Sequence, residues 1–586
     1  MREFVSELLI DRLVDWGVDT VFGLPGDGAD GVLGVFRRRA DRIRLVLVHH
    51  EEAAAFMATG YAKTTGKLGV CLATTGPGAI HLLNGLYDAK LDHQPVLAIT
   101  ELPDSQLLGT SFRQELRLEQ VFEDVAGYNV RVDVPVQIPA VVDIAVGHAM
   151  ARGTVSHITF SHDLDTGVDT SYWAAMTPSG TPATAPVFMP APGVPPAAEL
   201  EQAAAVLNQG SRRAVLVGVG GLDARAELLA VAGRLASPIV KSLPGKAAVP
   251  DDHPLTTGCI GALGTGPSEE ALAGADTLLV VGTNFPYARH LPDPGKVRTV
   301  QIETDLARLT AGSDSEVPLI GDAAETLQAL LPMLRQADDR SFLEQAQAGM
   351  ARWREQLAAA EDGGEASHAA GKPASHAAGG GASRAAGKVA SHASGELAPG
   401  ASGGGAGPVR PQYLARVVDR LAAGDAVLCS DSGTVATWSA RHFDVRGDRH
   451  YLLSANLATM AAGLPYAVAA QWARPGRQCI AYVGSEGFAK LMAEFLTAVQ
   501  HRLPVKVVVS NASRLGQLLE PLRSPPAADF AAWAQACGGL GIRVEQAEAV
   551  EPAVRAILDH PGPALVDVLV DPDELPEPVG ARTGPS

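Results

Sequence analysis

Along most of the chain, short runs of β-branched and aliphatic residues alternate with stretches whose apolar positions recur at helical spacing. Arg44–Val48 reads as a strand, Glu51–Thr65 as a helix, Leu68–Thr74 as a strand and Pro77–Asp88 as a helix. This strand–helix rhythm predicts a parallel sheet covered on both faces. A second unit begins near Arg213, where AVLVGVGG is a strand running into a Gly turn. It continues through Thr277–Tyr287 and Val297–Glu303 to about Leu334. A third starts at Gln412 and includes DAVLCSDSGT, QCIAYVGSEGF and PVKVVVSNAS. The expected fold class is therefore α/β, with three doubly wound parallel-sheet domains.

Two segments break the rhythm. Residues 166–196 are rich in Pro, Ala and Thr and read as the connection between the first two units. Residues 361–408 are nearly all Ala, Gly, Ser and His, with a degenerate eight-residue repeat starting at Ala366, Ala374, Ala382 and Ala390. Such a segment has too little apolar surface to offset chain entropy and reads as a disordered tether. A flexible chain of this length spans on the order of 35–40 Å root-mean-square. The expected domains are thus 1–165, 197–335 and 409–575.

Composition narrows the function classes. Apolar residues are 46% and charged residues 19%, an ordinary globular balance. Lys+Arg 47 against Asp+Glu 65 leaves −18, which disfavours nucleic acid or an anionic membrane surface as a general partner. No apolar run is long enough to span a bilayer, and Met1–Phe4 reads as leading directly into an amphipathic helix rather than a signal peptide. A cytoplasmic protein with no stable membrane insertion is expected. The five cysteines lie far apart without a CxxC pair and read as buried free thiols.

Open parallel sheets bind ligands beyond the carboxyl ends of their strands, where Gly-rich turns admit anions to backbone N–H groups. Candidate turns are Gly23–Gly28 with Gly26 at its centre, Thr75–Gly78 with Gly76 and Gly78, Gly218–Gly221, Asp431–Thr434 and Gly484–Gly487. Each taken alone also suits a tight strand–helix turn on steric grounds.

Longer runs are more specific. HHEEAAAFMATGYAKTTGKLGVCLATTGPGAIHLLNGLYDA (His49–Ala89) resembles the pyrimidine-binding domain of thiamine-diphosphate enzymes, and within that superfamily it is most similar to the pyruvate oxidase group, the pyruvate:quinone oxidoreductases. VVGTNFPYARHLPDPGKVRTVQIETDLARL resembles that group's FAD-binding middle domain, and Ala493–Val509 its diphosphate-binding domain. The resemblance covers nearly the whole chain outside the tether and the C-terminal end.

The resemblance implies thiamine diphosphate, Mg²⁺ and FAD as cofactors, a small 2-oxo acid as substrate, and a homo-oligomer with a dimer as the minimum and a tetramer as the alternative. In the family a glutamate contacts the aminopyrimidine ring and promotes proton loss at the thiazolium C2. Glu51, following His50 at the close of a strand, stands at that position, where a partly desolvated carboxyl can share a proton with a ring nitrogen. A helix-start carboxylate favoured by the macrodipole is its plainer reading. Gln114 matches a glutamine near the substrate, preceded here by Arg113 where relatives carry Phe. Met460 matches the apolar support of the bent cofactor, with Ala458 and Thr459 in the adjoining pyrophosphate-side loop. The implied flavin contacts are Cys259, Ile260, Gly261 and Ala262, then Gly282, Thr283, Asn284, Phe285 and Pro286, and Glu303 where relatives usually carry Asp.

The chain departs from the family at its metal signature. Gly-Asp-Gly followed by Asn-Asn normally supplies the Mg²⁺ ligands. Here Gly484 is followed by Ser485 for the Asp and Glu486 for the second Gly, while Asn511 survives and Ala512 replaces the second Asn. One unit-charge pair at 4 Å contributes about 4 kcal/mol at an effective dielectric of 20. Loss of the ligating carboxylate therefore weakens the expected cofactor grip, unless Glu486 and Ser485 supply metal ligands from a shifted backbone. The loop between Gln517 and Pro525 is also short for a segment that covers the active site. The leading expectation is a pyruvate oxidase-like enzyme. The alternatives are a homologue without thiamine catalysis that serves as a flavin-binding or interaction subunit, and an acetolactate-synthase-like carboligase.

Overall fold

The computed structural model describes residues 2–3, 5–26, 30–164, 168–169, 193–283, 288–292, 295–309, 316–362, 409–512, 528–576 and 579. Most of the 166–196 connection, residues 363–408 of the Ala/Gly/Ser/His segment, and the loop between Gln517 and Pro525 lie outside the described residues. A helix, Ser341–Asp362, follows the second unit and occupies the first two positions of the segment read as a tether.

Arg2–Glu3 form a short strand, β1, and the expected helix follows Phe4 directly as Val5–Asp15. The first sheet contains β2 (Thr20–Leu24), β3 (Arg44–Leu47), β4 (Gly69–Ala73), β5 (Val96–Leu102), β6 (Ala126–Val132) and β7 (Val155–Ser161). Its order is β3-β2-β4-β5-β7-β6, with every pairing parallel. β8 (Val168–Asp169) then returns to pair antiparallel with β1.

The second sheet contains β9 (Arg213–Val217), β10 (Ile239–Lys241), β11 (Thr256–Cys259), β12 (Thr277–Val281), β13 (Arg298–Glu303) and β14 (Val317–Ile320), ordered β11-β10-β9-β12-β13-β14. The third contains β15 (Val427–Ser430), β16 (His450–Leu452), β17 (Cys479–Gly484), β18 (Lys506–Asn511), β19 (Leu540–Val544) and β20 (Ala564–Leu569), ordered β16-β15-β17-β18-β20-β19. Both are parallel throughout. The three α/β domains expected from the sequence are present. β4, β5, β7 and β12 are buried at every position, as strands covered on both faces must be.

Counted within each sheet, the first and third share one order, 2-1-3-4-6-5, while the middle one is 3-2-1-4-5-6. Strand order therefore reverses between β2 and β4, between β15 and β17, and between β9 and β12. Those switch points open crevices at the carboxyl edge of each sheet.

The first and third domains share an apolar core. It joins Ala53–Ala58 of the helix Glu51–Thr65 to Leu464 and Tyr466–Ala470 of the helix Gly463–Ala473. Both helices are small-residue-rich and buried nearly all round, as expected for helices wedged between two sheets rather than lying on a surface. Gly60 permits the approach: a Cβ there would lie 2.8 Å from the Tyr466 ring. The middle domain has two cores of its own, and its Ala247 also enters the core of the third domain.

A polar seam crosses the same contact. Buried Lys63 donates to Asp92 at 2.7 Å, the Leu453 carbonyl at 2.8 Å and the Tyr466 hydroxyl at 2.9 Å, while Tyr466 donates to Asp88. Cys71, Cys259, Cys429 and Cys479 are buried free thiols, and Cys537 is half-buried.

Candidate functional site

The first switch point gathers several of the sequence-derived candidates. β3 ends at Leu47, and His50 caps the helix that starts at Glu51, its Nδ1 accepting from the Glu52 backbone N–H at 3.1 Å. The helix start places Glu51 in a largely desolvated position, 8% exposed. Its Oε2 meets His81 Nδ1 at 2.9 Å, and its Oε1 lies 3.1 Å from where a Cβ on Gly78 would stand. Gly76, at φ 61, turns the chain beneath Gln114, whose Cβ would be 2.8 Å from a Cβ on Gly76. Gln114 itself holds φ 65 and accepts from Thr75 Oγ1 at 3.0 Å, while Arg113 is exposed. Glu51, Gly76, Gly78 and Gln114 thus surround one crevice. Gly26 faces Thr74, where a Cβ would fall 2.3 Å from Oγ1, so the protein's own side chain already requires glycine there.

Glu52 points away, accepting from Asn84 Nδ2 at 2.6 Å, and the same amide reaches Thr459 Oγ1 at 3.2 Å. That contact brings the loop of Ala458, Thr459 and Met460 to the first domain. The loop is strained at Ala458 (φ 54) and Ala461 (φ 78), conformations that cost of order 1–3 kcal/mol each for a non-glycine residue. Asp431 holds it, accepting from the backbone N–H groups of Ser432, Ala461, Ala462 and Gly463. Desolvation pushes the Asp431 carboxyl up to about 7 against those bonds. A Cβ on Gly487 would fall 1.7 Å from Asp431 Oδ2, so glycine is obligatory at that position.

A second missed carboxyl backs the turn before Glu51. Glu494, fully buried, accepts from the N–H groups of His49 and His50 at 3.1 Å each and from Thr497 Oγ1 at 2.7 Å. Burial pushes it up to about 7. Its sequence signal is an acid within the buried stripe Glu494, Phe495, Thr497 and Ala498. Asp431 was visible as part of a Gly turn. His81 lies within His49–Ala89, with no periodicity to mark it.

Mg²⁺ needs several well-placed oxygens, including one or two carboxylates. Gly484 is extended, Ser485 is buried at the start of the helix Ser485–Leu491, and Glu486 is half-buried with Oε2 3.7 Å from a Cβ position on Gly484. Asn511 donates through Nδ2 to Asp567 Oδ1 at 2.9 Å and to the Ala528 carbonyl at 3.2 Å, and Ala512 has no donor atom to offer. One carboxylate and one hydroxyl do not make the family's Mg²⁺ set, so these residues do not fit that ion. Among the described residues, the group with metal-ligand spacing is His50, Glu51 and His81. Hydrogen bonding argues against it as a metal centre. His50 Nδ1 accepts in the cap, so its Nε2 carries the proton and has no lone pair for a metal.

The flavin positions sit at the carboxyl edge of the middle sheet. Cys259 ends β11 and leads into Ile260, Gly261 and Ala262; Gly282 and Thr283 follow β12, and Glu303 ends β13. Asn284, Phe285 and Pro286 lie outside the described residues. The Ala262 and Gly264 carbonyls accept from Arg441 of the third domain at 3.0 and 3.1 Å. At the β9/β12 switch point Gly218 and Gly220 close on Thr283 and Gly282, and Glu303 turns Oε1 onto the Thr304 N–H at 2.9 Å.

Residues 4–122 match the family model described as thiamine pyrophosphate enzyme, N-terminal TPP binding domain. Residues 200–330 match its central domain, and residues 431–568 its C-terminal TPP binding domain. The chain is 34% identical over 574 residues, 96% of it and 91% of the relative, to YdaP of Bacillus subtilis (strain 168), provisionally named as thiamine pyrophosphate-containing. It is 29% identical to the pyruvate oxidase of Lactiplantibacillus plantarum, across 96% of this chain and 88% of that one. It is 27% identical to acetolactate synthase 3, chloroplastic, of Brassica napus, across 96% and 83%.

Proposed function

This chain belongs to the thiamine pyrophosphate enzyme family and is pyruvate oxidase-like, and from that premise we propose that it decarboxylates and oxidises a small 2-oxo acid. The observation that carries the reading is Glu51, a desolvated carboxyl at a helix start, with glycine keeping side-chain bulk away from one of its oxygens. The residues of the first domain fit an aminopyrimidine. This crevice and the Ala458–Met460 loop would hold thiamine diphosphate, which when bound would supply a nucleophilic carbon for the keto group.

The chain's own residues then have separable tasks. Glu51 presents Oε1 to the crevice, where it would exchange a proton with the aminopyrimidine. His81, hydrogen-bonded to Oε2 and with 43% of its side chain exposed, connects that carboxyl to solvent for proton exchange. Gln114 spends its carbonyl on Thr75, leaving its amide N–H groups to orient a substrate carboxylate. Asp431 fixes the strained loop that carries Met460. We assign the electron acceptor role to FAD over Cys259–Ala262, Gly282–Pro286 and Glu303, because ligands of open parallel sheets bind at that edge. A homodimer in the cytoplasm completes the reading. No helix among the described residues is long and apolar enough to cross a membrane.

A second reading has its own support: the missing Mg²⁺ donors favour a homologue that has lost thiamine catalysis. Calorimetric titration with thiamine diphosphate, with and without Mg²⁺, separates the two. Binding by the native chain with little Mg²⁺ dependence supports the enzyme. Binding only after Ser485→Asp/Glu486→Gly/Ala512→Asn identifies the degenerate homologue. Acetate from pyruvate marks an oxidase and acetolactate a carboligase; a flavin spectrum of the purified protein tests FAD, and light-scattering mass the dimer.

A further inference from the structure

The turn that delivers Glu51 from β3 to its helix is His49-His50, and it is held from the third domain. The helix Glu494–Gln500 presents Glu494, Thr497 and Gln500 to it, three polar side chains at a spacing that shares one helix face. Glu494 Oε1 accepts both the His49 and the His50 N–H at 3.1 Å, and Oε2 accepts from Thr497 Oγ1 at 2.7 Å. Thr497 has one hydroxyl proton and spends it there, so in its 3.0 Å contact with His49 Nδ1 the ring donates. His49 is therefore the Nδ1–H tautomer, and its Nε2 accepts from the Gln500 amide at 3.4 Å. The chain of donors converges on a carboxyl that is fully buried.

Beyond the turn, the same clamp reaches Glu51 by two routes. One is the backbone, since the His50 N–H held by Glu494 immediately precedes it. The other is a ring stack. His50 lies against His81 with centroids 4.5 Å apart and planes 27° from parallel, and His81 Nδ1 meets Glu51 Oε2 at 2.9 Å. Glu494 touches neither the crevice nor Glu51's oxygens in this arrangement; it sets where they stand. Misplacing a reacting group by about 1 Å costs on the order of 10²-fold in rate.

On the reading of Glu51 as the carboxyl that serves the aminopyrimidine, we propose that Glu494 is a positioning residue through which the third domain holds that carboxyl in place for proton exchange. Reach and charge separate this role from any other. Glu494→Gln keeps the length and the oxygen that faces both N–H groups. Its amide then donates to Thr497, whose own proton turns to His49 and reverses that ring's tautomer. Glu494→Asp keeps the charge but falls one methylene short of the turn.

The experiment compares both variants with the native full chain. In unliganded protein labelled with nitrogen-15 histidine, NMR reads the His49 tautomer and the His81 Nδ1 resonance at its bond to Glu51. With thiamine diphosphate and Mg²⁺ added, deuterium exchange at the cofactor's C2 is measured beside calorimetric cofactor affinity and the kcat and KM for pyruvate. Glu494→Gln should invert the His49 tautomer, leave the His81 resonance in place and keep at least a third of the exchange rate. Glu494→Asp should displace the His81 resonance and lower exchange and kcat at least tenfold, with cofactor affinity and KM within twofold. A tenfold loss in Glu494→Gln overturns the proposal, because charge rather than reach would then govern; so does native exchange in Glu494→Asp. If the native chain binds no thiamine diphosphate, the proposed function falls, and the unliganded His81 resonance still decides this role. A native position in Glu494→Asp overturns it and a displaced one upholds it.

Discussion

Glu494 holds the turn from which Glu51 departs, and the two carboxyls call for different substitutions. Replacing Glu51 by Gln keeps the shape but removes the ionisable carboxyl. Turnover of a 2-oxo acid should fall on the order of 10²–10⁴-fold with thiamine diphosphate affinity nearly unchanged, as steady-state rates and calorimetry can check. Glu494→Ala leaves two backbone donors and a hydroxyl unpaired in the interior, and should destabilise the fold by about 2–4 kcal/mol in denaturant titration. Glu494→Gln should cost far less, because an amide oxygen accepts the same N–H groups. The pH dependence has a definite sign. Burial raises Glu494 and Asp431 to about 7 in the fold, above their unfolded values, so the folded state binds more protons over that interval. Their contribution to stability is full below about pH 4 and is lost as pH rises through 7. Thermal midpoints measured at pH 5 and pH 8 should therefore differ less in Glu494→Gln than in the native protein.

The packed pair of helices, Glu51–Thr65 and Gly463–Ala473, determines how the first and third domains meet. Gly60→Ala places a methyl 2.8 Å from the Tyr466 ring, and overpacking of this kind costs about 1–3 kcal/mol. The Lys63 seam beside it is more sensitive. Lys63→Met leaves Asp88 and Asp92 buried without their cation, which typically costs about 3–5 kcal/mol. The deficit should shrink in acid, because Asp88, already raised by desolvation, then takes up a proton. Denaturant midpoints of native and variant proteins at pH 5 and pH 7 measure that convergence. Element positions were largely legible from the sequence: Glu51–Thr65 forms the helix that its pattern predicts, and Arg44–Leu47 a strand. The expected helix Pro77–Asp88 is instead two pieces, Pro77–His81 and Leu83–Leu91, separated at Leu82. The break places His81 at the end of the first piece, where its ring reaches Glu51, and local periodicity has no means of registering such a contact.

Across the whole molecule, one apolar core joins the first and third domains, and a second takes Ala247 of the middle domain into the core of the third. Buried Lys246 and Asp251 of the middle domain bond to Ala440 and Val445 across the same contact. Calorimetric unfolding should therefore show one cooperative transition that Gly60→Ala shifts as a unit; a separate transition left in place by that substitution would contradict this coupling.

The chain's apolar rhythm determined three parallel sheets, because burial on both faces needs continuous apolar strands wherever they lie in sequence. Its motifs also fixed the chemical kit of Glu51, Gln114 and an altered metal signature, since side-chain identity needs no folding to be read. Only the tertiary structure decided which groups meet. It set Glu494 behind His49 and His50, turned the Asn511 amide onto Asp567, and brought His81 onto Glu51. Those outcomes depend on where strand ends come to rest after tens to hundreds of residues of intervening chain. Nearest-neighbour patterning carries no information at that range.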